Sequence, residues 1–219
     1  MDEDGGAADR LWLGDWRRRV AALYAEIRDV AANDPAAAWD RWRTEREALY
    51  RGHSQSPVPA AEREGFRARH WPYDDRLRWT VRVADPEAAP ATGGFGGPAI
   101  ALPNSGADTL AFDRVGRVEL PHPQGAASLD VYWMRGYAGG LFLPFLDATS
   151  GAETYGAGRY LLDTAKAADL GGDAAAGTIV VDLNFAYHPS CAFDPKWACP
   201  LAPPGNRIAM RVEAGERLR

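Results

Sequence analysis

The sequence predicts a mainly β fold of the α+β class, an antiparallel β-barrel or curled sandwich with two N-terminal helices packed on it. Three observations carry this expectation. Apolar residues recur at spacings of three and four in a sustained way only between Trp16 and Leu49, which confines long helices to the N-terminal region. Downstream, short alternating runs are separated by turn residues, the spacing of an antiparallel sheet. No helical pattern alternates with those runs, and neither a Walker loop nor a G-x-G-x-x-G joins a strand to a helix, so a doubly wound sheet is not expected. At 219 residues the chain fits one domain with a helical appendage. Its expected divisions are 1–14, disordered or frayed; 15–52, helical; and 53–219, an antiparallel β domain carrying the site.

Taken in order, residues 1–8 are expected to lack structure. From about Asp15, the residues Trp16, Val20, Leu23, Ile27 and Val30 lay one stripe down a helix, with Arg17, Arg18, Arg19 and Glu26 on its wet side. Asp34 is placed to cap a second helix and Pro35 to open it. Trp39, Trp42 and Leu49 then face the core, and the helix ends near Arg51–Gly52. Trp at helical spacing is read as packing. Residues 60–68 suggest a short helix, 76–83 a strand with Leu77, Trp79, Val81 and Val83 on one face, and 85–97 a loop rich in Pro, Ala and Gly. Further strands are expected over 115–120, 127–133, 140–146, 155–162, 178–185 and 207–212.

Composition removes several classes of function. A formal net charge of -5 leaves no basic footprint for nucleic acid, so any anion must be met by local Arg. No segment is long and apolar enough to span a membrane, and the start Met-Asp-Glu-Asp-Gly-Gly lacks the pattern of a signal peptide, so a cytoplasmic setting is expected. In that setting Cys191 and Cys199 are expected as thiols. No cofactor is expected, and the partner expected is a small-molecule ligand.

The polar groups lie densest between Leu141 and Arg211. If residues 141–147 and 155–161 form a hairpin, alternation places Phe145, Asp147, Tyr155 and Arg159 on one face. Arg159 then stands among apolar neighbours and needs a partner, since an unpaired buried charge costs several kcal/mol. Asp147 and Asp182 are the candidate carboxylates, and Asn184 shares the face of Asp182. Two readings stay open. In one, Arg159 grips an anionic ligand while Asp147 or Asp182 acts as acid or base, with Glu153, Tyr155, Asn184, Tyr187 and His188 as ligand-binding neighbours. In the other, the charges form a satisfied ion pair closing one end of the β domain. Thr149-Ser150-Gly151 reads as turn chemistry rather than as a nucleophile. His188, Cys191 and Cys199 spell H-x2-C-x7-C, three candidate zinc ligands at a spacing unlike common zinc modules; buried structural thiols are the preferred reading. Gly156 and Gly158 mark a bulge or a close approach. A different class of function, a scaffold docking a partner through its aromatic N-terminal helices, is suggested by Trp12, which lies off the main stripe.

The stretch Leu141-Phe-Leu-Pro-Phe145 with Asp147, Thr149-Ser-Gly151, Glu153-Thr-Tyr-Gly156 and Gly158-Arg-Tyr160 resembles a family of uncharacterised prokaryotic proteins, domain of unknown function 1684. So do Asp182, Asn184, Ala186-Tyr187, Pro189, Cys191-Ala192, Cys199-Pro200, Pro203-Pro204, Asn206 and Ala214-Gly215-Glu216. The resemblance runs from about Trp39 to the C-terminus and is to the shorter variety, which lacks an extra segment after the first helices. It implies no established reaction. Members like this usually have Asn where this chain has His188, which weakens a zinc reading, and Glu where it has Gly205, which removes a carboxylate available to acid/base chemistry.

Overall fold

The computed structural model describes residues 6–84, 100–102, 105, 110–137 and 139–218. The first five residues and the loop expected over 85–97 lie outside them. Helix α1 spans Ala7–Ala31 and α2 spans Pro35–Gly52. The Asp34 carboxylate accepts the Ala37 N–H at 2.9 Å, the cap the sequence announces, worth about 1 kcal/mol. Two helical turns precede the expected start at Asp15, and they leave Leu11, Trp12 and Leu13 in solvent. The helices join through the Trp42 indole N–H, which donates to the Tyr24 hydroxyl at 3.1 Å.

Among the described residues ten strands follow: β1 Arg69–His70, β2 Arg78–Arg82, β3 Ile100–Ala101, β4 Ala111–Leu120, β5 Ala127–Met134, β6 Gly140–Phe145, β7 Arg159–Asp163, β8 Gly172–Asp173, β9 Thr178–Asp182 and β10 Glu216–Arg217. All pair antiparallel, in three sheets ordered β3-β4-β5-β6-β7, β2-β9-β8 and β1-β10. An Ala84–Arg117 bridge links the first two. Among the described residues the sheets do not close into a barrel; the architecture is α+β and mainly β.

The five-stranded sheet is buried on both faces. Phe112, Tyr132, Phe142 and Tyr160 meet Leu23, Ile27, Trp39 and Trp42 of the helices, while Val118, Leu129, Val131, Leu143 and Leu161 meet Val81 and Val181 of the three-stranded sheet. Phe112 and Val118 have the same parity yet face opposite layers. The register shift between Arg114 and Gly116 adds one residue and turns β4 over, as a bulge does.

Several expected elements are shorter or absent; the strand expected over 76–83 runs only over Arg78–Arg82, behind a 3-10 turn at Asp75–Leu77. Residues 60–68 give only a 3-10 turn at Ala60–Glu62. The strand expected from Tyr155 begins at Arg159, because the preceding residues are spent on turns around Thr149 and Thr154. The strand expected to reach Phe185 stops at Asp182, whose carboxylate accepts the Asn184 N–H and opens a 3-10 turn over Leu183–Phe185. Residues 207–212 form no strand and instead lie beside the end of β6, with the Ile208 N–H donating to the Leu146 carbonyl at 2.7 Å.

The C-terminal segment 212–217 is a strap that crosses the molecule. The Trp71 N–H donates to the Gly215 carbonyl at 3.2 Å and the Glu216 N–H to the Ala186 carbonyl at 2.8 Å. Gly215 has φ of 74°, and a Cβ there would meet the Ala186 carbonyl at 2.5 Å, so no side chain is accommodated. Gly158, with φ of 95°, likewise leaves room for the Phe145 carbonyl. Of the two glycines flagged by sequence it is the one that marks a close approach; Gly156 meets its neighbours at ordinary distance.

Candidate functional site

Strand register builds the first charge cluster. Arg159 sits opposite Phe145 at the β6–β7 edge and is 1% exposed. Its partner is Asp147, at 3.3 Å and 2% exposed. The guanidinium also donates to the carbonyls of Val212 at 3.0 Å, Glu216 at 3.1 Å and Ala214. Burial pushes Arg159 down to about 10, against the opposing pull of Asp147, so it stays charged at neutral pH. Asp147 is equally occupied: it accepts the Val212 N–H at 2.8 Å, the Thr149 N–H at 3.1 Å and the Thr149 hydroxyl. The pair pins the strap and caps its own turn, which is also where Thr149 and Ser150 are spent.

Asp182 belongs to a different cluster. It accepts from Arg78 at 3.2 Å, the residue directly across the β2–β9 ladder, and from the Asn184 side chain at 2.8 Å. Burial raises its pKa, with Asn184 and then Arg78 opposing. Asn184 holds the backbone of Asp74 through both side-chain atoms, and its carbonyl accepts the Trp39 indole N–H at 2.9 Å. No hydrogen bond or ion pair among the described residues joins Asp182 to Arg159: of the two candidate carboxylates, Asp147 pairs with Arg159 and Asp182 with Arg78. Glu153 pairs with Arg211 at 2.5 Å on the surface.

The remaining candidates converge on a third cluster. The backbones of Tyr160 and Tyr187 exchange hydrogen bonds of 2.9 and 3.1 Å, and the Tyr187 ring lies 4.5 Å from the Arg46 guanidinium. Arg46, sandwiched between Tyr187 and Tyr50, donates to Glu216 at 2.8 Å. The second Glu216 oxygen accepts the His188 N–H at 2.7 Å. The Tyr155 N–H donates to His188 Nε2 at 3.3 Å, which fixes the neutral ring with its proton on Nδ1, 3.8 Å from Glu216. Burial lowers His188 to about 4. Burial alone would raise Glu216, but Arg46, then His188 and His70, outweigh it and hold the carboxyl at about 2.

Beside this cluster opens a pocket of about 360 Å³. Phe66, Phe193 and Leu218 supply apolar wall, His188 and Glu216 its inner end, and Arg67, Arg69 and Arg217 its rim, together with Glu62. Arg69 and Arg217 are directly opposite in the β1–β10 ribbon. Of the residues expected from sequence, His188 alone lines this pocket. Arg46 and Glu216 were missed, although Trp42, Arg46 and Tyr50, spaced four apart, put an Arg on the aromatic stripe of α2.

Cys191 and Cys199 are free and buried. With His188 they do not converge: among the described residues, no group of three or more His, Cys, Asp or Glu side chains is placed to hold a metal. His188 is engaged instead by Tyr155 and Glu216. No helix among the described residues is long and apolar enough to cross a membrane.

These features define an α+β protein whose buried charges fasten a C-terminal strap beside an arginine-rimmed pocket. Residues 67–217 match a family described as a protein of unknown function, DUF1684, and the chain belongs to that family. Among solved structures it is similar to the solution NMR structure of an uncharacterised protein of Haloarcula marismortui, 26% identical, with a TM-score of 0.54 over 80% of this chain and 90% of that one. No curated protein matches it significantly.

Proposed function

We propose that this protein binds a small anionic metabolite in the pocket beside β1 and β10. The observation that carries the reading is the rim. Like charges directly opposite on a two-stranded ribbon repel, and Arg69 and Arg217 take that position with no ion pair to a carboxylate among the described residues. A carboxylate or phosphate group accepts from guanidinium forks of this kind, and Phe66 and Phe193 offer apolar surface to the rest of the molecule. Binding is favoured over acid/base turnover because both ring nitrogens of His188 face partners and both Glu216 oxygens accept hydrogen bonds. Two thiols side by side support a cytoplasmic setting.

Calorimetric titration with phenyl phosphate and benzoate tests the reading. Arg69→Ala and Arg217→Ala are each expected to weaken binding roughly tenfold to a hundredfold, the worth of one charge-assisted hydrogen bond, while the thermal midpoint stays put because both residues are exposed. Unchanged affinity in both variants rejects the pocket.

One observation favours a second reading, docking through α1. Leu11 is 73% exposed and Trp12 49%, and they adjoin on one helix end, a patch suited to another apolar surface. A second copy of the chain is the simplest partner. Leu11→Glu with Leu13→Glu should then reduce the mass seen by light scattering, with helical circular dichroism preserved. A monomeric wild-type chain refutes self-association.

A further inference from the structure

The pocket and the strap make no use of the two cysteines. Cys191 lies in the 3-10 turn Ser190–Ala192, and its N–H donates to Cys199 Sγ at 3.3 Å. Ser105 holds the second cysteine in place: its Oγ accepts the Cys199 N–H at 2.8 Å, and its own N–H donates to the Cys199 carbonyl at 3.0 Å. The Cys199 thiol and the hydroxyls of Ser105 and Tyr155 are the polar side-chain groups that act on the Cys191 thiol. Ser105 is exposed, so the sulfurs sit one side chain below solvent.

We propose that Cys191 and Cys199 are a redox-active dithiol that hydrogen peroxide closes to an intramolecular disulfide. Cys199 Sγ already lies 3.3 Å from the Cys191 backbone nitrogen, so the two side chains need little movement to bond, and a small oxidant suits a buried pair. The Cys199 thiol, then the hydroxyls of Ser105 and Tyr155, hold Cys191 below the ordinary thiol range, whereas Cys199 is pushed up because it keeps the shared proton. Cys191 is therefore the attacking thiolate. It takes one peroxide oxygen as the O–O bond breaks, and the proton that the Cys191 thiol had released joins the departing hydroxide, giving a sulfenic acid and one water. The Cys199 sulfur then attacks the Cys191 sulfur, the S–O bond breaks, and the second water leaves with the Cys199 proton. In all, two thiols and one peroxide become one disulfide and two waters. The disulfide closes the loop that carries Phe193 and Trp197.

The reduced full chain is titrated with hydrogen peroxide, denatured in excess N-ethylmaleimide and weighed by mass spectrometry. The expected wild-type product has lost two hydrogens and carries no maleimide. Cys199→Ser should stop at a dimedone-reactive sulfenic acid on Cys191, Cys191→Ser should react at least roughly tenfold more slowly than wild type, and Tyr155→Phe, which keeps both thiols, should slow closure. Wild-type protein that carries two maleimides after excess peroxide overturns the proposal. So does a wild-type sulfinic acid on Cys191 in place of closure, since Cys199 would then be out of reach. Should the serine variants fail to fold, the wild-type masses alone decide.

Discussion

Replacing Arg159 with Ala is expected to cost about 3–5 kcal/mol of stability, the penalty for breaking a buried ion pair by removing one partner. That is a large share of the roughly 5–15 kcal/mol that holds a domain folded. The side chain is 1% exposed and donates to Asp147 and to three carbonyls of the strap. Truncation leaves those acceptors buried and Asp147 without its counter-charge. Urea unfolding measured by Trp fluorescence should show a large fall in midpoint, and Arg159→Lys should fall between, because one ammonium does not reach acceptors spread over residues 147, 212, 214 and 216. A stable Arg159→Ala that has lost only ligand binding would restore the anion-gripping role that the sequence also allows.

The second large effect is acid lability. His188 is held neutral by burial, its pKa moved from 6.5 to about 4, and Glu216 is held ionised, from 4.5 to about 2. In both cases the unfolded chain binds the proton first as pH falls. Stability is therefore full above about pH 6.5, falls first as the unfolded histidine charges, and falls further below about pH 4.5 as Glu216 is lost. Each displacement is worth on the order of 3 kcal/mol, and the combined effect is smaller than the two taken separately because the groups interact. Urea midpoints recorded from pH 8 to pH 4 should hold level down to about pH 6.5 and decline below it. His188→Asn should flatten the upper part of that decline, and Glu216→Gln should destabilise the chain at neutral pH by about 3–5 kcal/mol, since it strands the Arg46 guanidinium. A flat profile down to pH 4 refutes the cluster's electrostatics.

The helices were legible because each carries its own stripe, and α2 its own cap. The burial of Arg159 was legible from parity alone, and Asp147 was one of two carboxylates named for it. The partner of Asp182 was not, because Arg78 becomes its neighbour only once β2 is known to pair with β9. The bulge in β4 was equally silent: one extra residue inverts which alternating positions are core. Glu216 escaped because its partners, Arg46 and His188, lie 170 and 28 residues away, and no local periodicity encodes such a meeting.

The strap has a consequence for biosynthesis. Arg46, Trp71 and Arg159 are all made before residues 212–217, yet each waits on that segment for a hydrogen-bond partner. On the ribosome the helices and the five-stranded sheet can emerge and associate, but a nascent chain paused short of Val212 holds a guanidinium at its centre with most of its acceptors still unmade. The Arg159 guanidinium then has Asp147 alone among its native acceptors, so the native packing is completed only after residues 212–217 are made.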